Sequence, residues 1–347
     1  MATGLIVDSE QALSLLALAE DAEVGLSGPE SARWMENLEK RLGELRTAAA
    51  WFLSHGEPER ALRLAAALTM FWREGNQIGE GRKWMESILA GPGAEVPSAA
   101  RAKALYGAGR LAFTQGDQEA SRTRNEEALR MARAADDWGA QVLALVGLAR
   151  VALRDGDLAV VRDNAKQARR MARDMGDQRA EAGPLHLLAA ATRMDGDVDG
   201  ARRLYEESLQ LNRELGDQRV VAMELLNLGF VQKNLGDLSA AETRFRGSLE
   251  LQRERGDATL VPEILIGLGC TAAARGDLER AARLLAAGQA RLDAAGAVLD
   301  PDDQPEFDRA ASVVREGLDP AIFDALWAEG LAMDADRAVD LALRSSS

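Results

Sequence analysis

Apolar side chains recur at three- and four-residue intervals along most of the chain, as expected for amphipathic helices. In the clearest stretch, residues 220–235 and 238–255 carry this pattern and are separated by Gly236-Asp237. Glycine readily adopts the left-handed conformation that ends a helix, and an aspartate accepts hydrogen bonds from the free N–H groups that begin the next one. The pattern therefore predicts two helices joined by a short turn.

This helical hairpin recurs with a fixed period. The Gly-Asp pairs follow one another at steps of 40 residues and begin at Gly116, Gly156, Gly196, Gly236 and Gly276. A second landmark has the same period, at Asp137, Asp177, Asp217 and Asp257. Repeated helix pairs bury their apolar faces only against their neighbours. The sequence therefore predicts an all-α protein, a right-handed α-solenoid of helical hairpins with a 40-residue period.

The residues inside each period indicate which type of helical repeat the chain contains. Leu228-Gly229 lie in the first helix of one repeat, and Ala241, Phe245 and Ser248 lie in its second helix. This spacing resembles the tetratricopeptide pattern, in which small residues let neighbouring helices approach and large residues fill the remaining gap. The flanking repeats carry comparable residues, at Leu188-Ala189, Ala201, Tyr205 and Ser208 and at Leu268-Gly269, Ala281, Leu285 and Gly288.

The limits of the period predict the domain organisation. Residues 1–56 are expected to form N-terminal helices that cap the array. Tetratricopeptide-like repeats follow over 57–295, with a degenerate first repeat at about 57–97 and regular repeats at about 98–292. Residues 296–347 are expected to cap the other end.

Each terminus carries its own helix signals. At the N-terminus, the run from Asp8 to Gln11 is typical of a capping box. After Asp293 the period stops, and Pro301, Asp302, Asp303 and Pro305 predict a loop. Three short helices are expected after this loop, at Glu306–Glu316, Pro320–Gly330 and Asp334–Leu343.

Charge and composition exclude several classes of function. The chain has 42 lysines and arginines against 56 aspartates and glutamates, a net charge of −14, so direct binding of nucleic acid is not expected. Its single cysteine, Cys270, lies in an apolar run and is expected to be a buried, inert thiol in a reducing compartment. No apolar run approaches the roughly 18 residues of a membrane span, and Met1 to Glu10 lack a secretion signal. We therefore expect a cytoplasmic protein without membrane contact.

Several segments resemble a family of bacterial regulators. Residues 60–72 and 79–89 are similar to the start of the helical-repeat half of actinobacterial LuxR-type and antibiotic-regulator-type signal-transduction ATPases. Residues 281–288, 323–330 and 338–342 are similar to the end of that half, so the resemblance covers roughly 25–345. It implies a sensor region that receives a small molecule or a protein. In an antibiotic producer, such a region would report or sequester a product, which is an expectation by analogy.

The chain departs from these regulators in one respect. It carries neither their phosphate-binding loop, Gly-x-x-x-x-Gly-Lys-[Ser/Thr], nor their basic helix-turn-helix. We therefore expect neither ATP hydrolysis nor operator binding. The sequence fits an excised sensor segment and a stand-alone binding protein equally well.

Catalytic and metal-binding patterns are scarce. The two histidines, His55 and His186, have no partner at a metal-ligand spacing. The run from Gly107 to Ala112 formally fits a dinucleotide fingerprint, but it lies within a helical period and has no preceding strand. No cofactor, metal or catalytic residue is expected. The less favoured alternative, an enzyme without a recognisable motif, would depend on His186 or Tyr106.

The family resemblance also implies where a ligand would bind. In tetratricopeptide folds the first helix of each repeat lines a concave groove, and its inward positions can be carried along this chain in steps of 40 residues. The candidate ligand-binding residues are Trp72, Tyr106, Arg110, Phe113, Arg150, Arg154, His186, Arg193, Met194, Asn227, Phe230, Lys233 and Asn234.

These positions combine positive charge with aromatic surface, and the inward positions include no acidic residue. Such a combination suits a small, partly apolar anionic ligand, which is the favoured hypothesis. Two alternatives stay open. The groove could bind a peptide or a partner helix, as an adaptor does, or its arginines could merely pair with carboxylates of the next repeat. The last repeat, with Ile266, Cys270, Ala273 and Ala274, is expected to contact the terminal cap.

Overall fold

The described residues fold into helices that are joined by turns and short loops. Those residues form eighteen α-helices and no strand, so the predicted all-α class and the α-solenoid of helical hairpins are confirmed. Residues 1–6 and Pro301, which were assigned to the N-terminal cap and to a loop, lie outside the described part. The computed structural model describes residues 7–28, 30–75, 77–295, 297–300 and 302–344.

The chain divides into two compact units, an N-terminal unit of Met1–Leu187 and a C-terminal unit of Leu188–Ser347. The boundary falls within α10 (Gln178–Met194). The preceding helices are α1 (Ser9–Gly25), α2 (Ser31–Ser54), α3 (Pro58–Ala67), α4 (Thr69–Glu74), α5 (Ile78–Leu89), α6 (Ala99–Thr114), α7 (Gln118–Ala134), α8 (Trp138–Arg154) and α9 (Leu158–Asp174). The following helices are α11 (Val198–Glu214), α12 (Gln218–Asn234), α13 (Leu238–Arg255), α14 (Val261–Arg275), α15 (Leu278–Ala295), α16 (Gln304–Gly317), α17 (Pro320–Ala332) and α18 (Ala335–Leu343).

The Gly-Asp pairs act as the sequence predicts. The five glycines that recur from Gly116 to Gly276 all have left-handed backbone, with φ between 77° and 85°. The aspartate after each glycine begins the next helix; for example, Asp197 accepts from the Gly200 N–H at 2.8 Å and Asp237 from the Ala240 N–H at 2.9 Å. The 40-residue period is therefore a repeat of helix ends and starts.

Close helix approach explains the tetratricopeptide spacing within the C-terminal unit. The Phe245 ring on α13 packs against Gly229 on α12 and Gly267 on α14. A β-carbon would lie 2.5 Å from this ring at Gly229 and 2.4 Å from it at Gly267, so no side chain fits at either position. Leu228, Ala241 and Ser248 are also buried, as the pattern predicts.

The terminal helix signals are also confirmed. Asp8 and Gln11 form a capping box at the start of α1. Helices α16, α17 and α18 occur where three short helices were expected, and Asp319 and Asp334 cap the last two. Helix α16 begins two residues earlier than expected, because Pro305 fits in a first turn, where no N–H partner is needed.

Candidate ligand-binding faces

Five candidate residues lie together in the N-terminal unit, and we call them the arginine face: Tyr106, Arg110, Phe113, Arg150 and Arg154. The first three are spaced by four and three residues on α6, and the two arginines are spaced by four residues on α8, so each set projects from one side of its helix. Helices α6 and α8 are packed neighbours. The Arg154 guanidinium carbon lies 4.1 Å from the centroid of the Phe113 ring.

The arginine face combines a partly desolvated positive charge with an aromatic surface. All of its side chains are half-buried except Phe113, which is 8% exposed. The Nε atoms of Arg150 and Arg154 are buried, so the inner part of each guanidinium is withdrawn from water. A carboxylate binds more strongly to an arginine at a partly buried position than to one in bulk water.

His186 and Trp72 were also expected at the site. His186 is half-buried on α10 of the N-terminal unit. Trp72 is 0% exposed, lies 5.8 Å from Trp84 between ring centroids, and contacts Gly81 so closely that no side chain fits there. Its assignment to a ligand-binding surface is therefore corrected to the core. Trp72 lies on α4, a helix of only six residues that is separated from α3 at Leu68, so the inward positions of the longer helices in the later repeats do not apply to it.

The remaining candidates lie in the C-terminal unit, and we call the polar and aromatic ones the Arg193–Lys233 face: Arg193, Asn227, Phe230, Lys233 and Asn234. The Arg193 guanidinium carbon lies 5.3 Å from the centroid of the Phe230 ring, and its Nη1 donates to Asn227 Oδ1 at 3.5 Å. Met194 is half-buried beside Arg193 on α10. Sequence reasoning therefore placed these residues in one neighbourhood.

An acidic part of the same chain covers this face, and we call residues 302–306 the acidic segment. Arg193 Nη2 lies 2.9 Å from Asp302 Oδ2 and also donates to the carboxylate of Asp303. Lys233 Nζ donates to Glu306 Oε2 at 2.6 Å, and Asn234 Nδ2 donates to Glu306 Oε1 at 2.9 Å. In this structure, the Arg193–Lys233 face holds three carboxylates.

The ion pairs of the acidic segment shift the pKa values of Arg193 and Glu306. Burial alone would lower the pKa of Arg193, but Asp302 and Asp303 raise it overall, so this arginine is always charged. Burial opposes ionisation of Glu306, yet Lys233 and Asn234 hold the pKa of that carboxyl below its usual value. Both cations thus stabilise ionised carboxylates on this face.

Negative charge nevertheless exceeds positive charge around Arg193. Burial, together with the Asp302 carboxylate, raises the pKa of Asp303 above its usual value, even though Arg193 lowers it. Burial also raises the pKa of Glu263 on α14 to about 8, with a further contribution from Asp300 and Asp303. The acidic segment therefore binds with a surplus of carboxylates.

Sequence reasoning missed the partners Asp302, Asp303 and Glu306, which it assigned to a loop and a capping helix. The alternative that the groove cations pair with the next repeat does not describe Arg193 and Lys233, because their partners follow the last repeat. The available signal was charge complementarity between an acidic run just after the repeats and cations at inward positions.

Cys270 connects the last repeat to the same segment. Its thiol is buried and donates to the Glu306 carbonyl at 3.5 Å, and α14 packs on α16, as expected for contact with the terminal cap. Burial raises the pKa of this thiol to about 12, so it is protonated at neutral pH. The structure thus agrees with the prediction of a buried thiol.

The remaining sequence motif and surface features give no further candidate site among the described residues. The run from Gly107 to Ala112 lies inside α6, which agrees with the helical interpretation. A shallow depression of about 350 Å³ on α5 and α7 is lined by charges that pair with one another, Arg82 with Asp117 and Arg124 with Glu86, both at 2.6 Å. Across the described ranges, no group of three or more His, Cys, Asp or Glu residues could hold a metal ion. In the same ranges, no helix is both long and apolar enough to cross a membrane.

The helix pairs, their 40-residue period and the glycine contacts of Phe245 define a tetratricopeptide-type solenoid. The family model described as the MalT-like TPR region matches residues 100–337, and the chain belongs to this family. This assignment confirms the resemblance to the repeat regions of LuxR-type regulators. A search of curated protein sequences gives no significant match.

Solved structures share the fold at low sequence identity. A Rap protein complexed with competence and sporulation factor is 13% identical with a TM-score of 0.61, and the alignment covers 96% of this chain and 98% of that chain. The Rap conjugation gene regulator of plasmid pLS20, in complex with the Phr* peptide, is 13% identical with a TM-score of 0.54, over 88% and 98% of the two chains. NprR in complex with its cognate peptide NprX is 18% identical with a TM-score of 0.53, and the alignment covers 95% of this chain and 92% of NprR.

Proposed function

We propose that this chain is a non-catalytic recognition module that binds a carboxylate-bearing, partly apolar ligand on the arginine face. The observation that carries this proposal is the Arg154 guanidinium 4.1 Å from the Phe113 ring, with Arg150 one turn earlier on α8 and Arg110 on the adjacent α6. Guanidinium groups beside aromatic rings bind planar anions through paired hydrogen bonds and ring stacking.

The expected contribution of these groups is substantial. A hydrogen bond to a charged group contributes about 1.5–3 kcal/mol, and a partly buried position strengthens it. Tyr106, half-buried on α6, adds an aromatic ring and a hydroxyl group that accepts or donates. The face therefore selects for an acid whose apolar part lies against Tyr106 and Phe113.

The favoured ligand is a small molecule, such as an aryl carboxylate, because the arginine face offers two aromatic rings beside its cations. A second candidate, an acidic peptide, is supported by the Arg193–Lys233 face, where the same combination of cations and an aromatic ring already holds carboxylates of a polypeptide. It also fits the peptide complexes of the pLS20 Rap regulator and of NprR, whose fold this chain shares.

Membership of the MalT-like TPR family supports a role as the signal-receiving part of a regulator. In this role, ligand binding would be passed to another protein or another region, and the module itself would perform no chemistry. A link to antibiotic production is an analogy with the family and stays a prediction.

Native mass spectrometry tests the proposal by incubating the chain with a panel of aryl carboxylates and a panel of acidic peptides that each contain one aromatic residue. A defined adduct that also raises the melting temperature supports the proposal, and the panel that gives it distinguishes a small molecule from a peptide. The amides of the same compounds serve as controls and should not bind. Equal binding of acids and amides would contradict the proposal.

A further inference from the structure

The acidic segment fits the Arg193–Lys233 face with a defined register. Asp302 and Asp303 share one guanidinium, that of Arg193. Glu306, three residues after Asp303 and within the first turn of α16, meets Lys233 and Asn234 at the end of α12. The three-residue spacing between Asp303 and Glu306 thus lets one segment reach two separate sets of donors, Arg193 on α10 and the pair Lys233 and Asn234 on α12.

Apolar packing already attaches α16 to its neighbours without these charges. Phe307, Ala310 and Val314 are buried, and α16 packs on α14 and α15. Buried ion pairs often contribute less to stability than apolar side chains of similar size. Closing the end of the repeats therefore does not explain why three carboxylates are placed on candidate ligand-binding residues.

The carboxylates of the acidic segment also outnumber the two cations of the Arg193–Lys233 face. Arg193 faces two aspartates, and Asp300 adds further negative charge near Asp303. An occupant with this surplus is held less tightly than one whose carboxylates are matched by cations. The surplus therefore favours an occupant that can be exchanged.

We propose that the Arg193–Lys233 face is a binding site for an acidic peptide with the pattern Asp-Asp-x-x-Glu, and that residues 302–306 of this chain are its built-in occupant. An external segment with the same pattern would bind Arg193 through its aspartates and Lys233 and Asn234 through its glutamate. To do so, it must displace the acidic segment.

A tethered occupant competes strongly with a free one. A segment attached by a short linker acts at an effective concentration on the order of 1 mM, so a free peptide binds to the intact chain only weakly. When the tethered carboxylates are neutralised, the free peptide should bind more tightly by about tenfold or more.

This inference rests on the proposed function, because it takes the chain to be a recognition module, but it uses residues of the C-terminal unit alone. The two can fail separately. Replacing Arg150 and Arg154 by alanine should strongly weaken ligand binding on the arginine face and leave peptide binding to the Arg193–Lys233 face unchanged.

The test uses a fluorescein-labelled peptide with the sequence of residues 299–309, and its binding is measured by fluorescence anisotropy. The variant D302N/D303N/E306Q neutralises the built-in occupant without changing side-chain size. Its matched control, E316Q/D324N/D336N, changes three exposed residues of the capping helices and gives the same change in net charge. The probe with asparagine and glutamine at the three acidic positions is the control peptide.

We expect the D302N/D303N/E306Q variant to bind the probe at least tenfold more tightly than the intact chain and the matched control, and not to bind the neutral peptide. Adding Arg193→Gln and Lys233→Gln to the variant should abolish binding. A folded variant that binds no more tightly than the intact chain, or binding that survives loss of both cations, would overturn the proposal.

Hydrogen exchange on the unaltered chain gives a second measurement that needs no substitution in the segment. Excess probe should increase amide exchange over residues 302–306, because the segment leaves its position, and the neutral peptide should not. If the triple variant does not fold, the hydrogen-exchange result tests the proposal by itself. Unchanged exchange at saturating probe would then contradict it.

Discussion

Arg193 Nη2 lies 2.9 Å from Asp302 Oδ2, and the same guanidinium donates to Asp303, which is 110 residues further along the chain. This relationship joins the end of α10 to the segment that follows the last repeat. It places two carboxylates of the chain on a cation that the sequence predicts at a ligand-binding position.

Arg193→Met should destabilise the C-terminal unit by about 3–5 kcal/mol, because it leaves the buried carboxylates of Asp302 and Asp303 without their cation. Urea unfolding followed by circular dichroism measures this loss. The control Arg203→Met removes an exposed arginine of α11 and should change the free energy of unfolding by no more than about 0.5 kcal/mol. Equal effects of the two substitutions would show that the pair contributes nothing.

Glu263→Gln should reduce the pH dependence of stability. Burial raises the pKa of Glu263 to about 8, whereas its ordinary value is 4.5, so the native protein retains a proton that the unfolded chain has lost. Its stabilising contribution is therefore complete below about pH 4.5 and is lost as the pH rises towards 8. Asp300 and Asp303 are the charged groups that act on Glu263.

The measurement is the free energy of unfolding at several pH values within this window. It should fall with rising pH in the unaltered chain, and it should fall less steeply in the Glu263→Gln variant. The control Glu250→Gln, at an exposed position on α13, should leave the slope unchanged. Parallel slopes for Glu263→Gln and the unaltered chain would contradict the assigned protonation.

Gly267→Ala should destabilise the fold by about 1–3 kcal/mol, because the new β-carbon would lie 2.4 Å from the Phe245 ring in a packed core. Gly247→Ala is a matched control in α13, where the β-carbon would make an ordinary 3.6 Å contact with Leu225. It should be neutral or stabilising by up to about 1 kcal/mol, since alanine is the better helix former. Thermal unfolding of both variants compares the two positions.

Cys270 should not react with a thiol reagent such as Ellman's reagent while the chain is folded. Its thiol is buried and has a pKa raised to about 12, so both access and thiolate are lacking. One thiol should react after unfolding in urea. Rapid reaction of the native chain would mean that the contact between α14 and the acidic segment opens readily.

The sequence was sufficient to predict the helical hairpins, because their ends depend on local chemistry. A glycine with positive φ and an aspartate that caps the next helix act within a few residues, as at Gly236 and Asp237. The spacing of Gly229 and Phe245 likewise predicted close helix packing. Local rules and a fixed period therefore determine most of the fold.

Two features of the candidate site could not be derived in this way. Trp72 was misplaced because it lies on α4, a helix of six residues that begins after a break at Leu68, and the inward positions of longer, continuous helices do not apply to it. The partners of Arg193 and Lys233 lie beyond the last repeat, at a distance along the chain that no period predicts.

Calorimetric titrations with the acid identified by native mass spectrometry compare two double variants and test recognition by the arginine face directly. Arg150→Ala with Arg154→Ala removes two cations of the arginine face, whereas Arg130→Ala with Arg133→Ala removes two exposed cations of α7. We expect the first variant to stay folded and to bind at least about a hundredfold more weakly, because each of the two lost charged hydrogen bonds contributes about 1.5–3 kcal/mol. The second variant should bind like the unaltered chain. Equal affinity of both variants and the unaltered chain would contradict recognition by the arginine face.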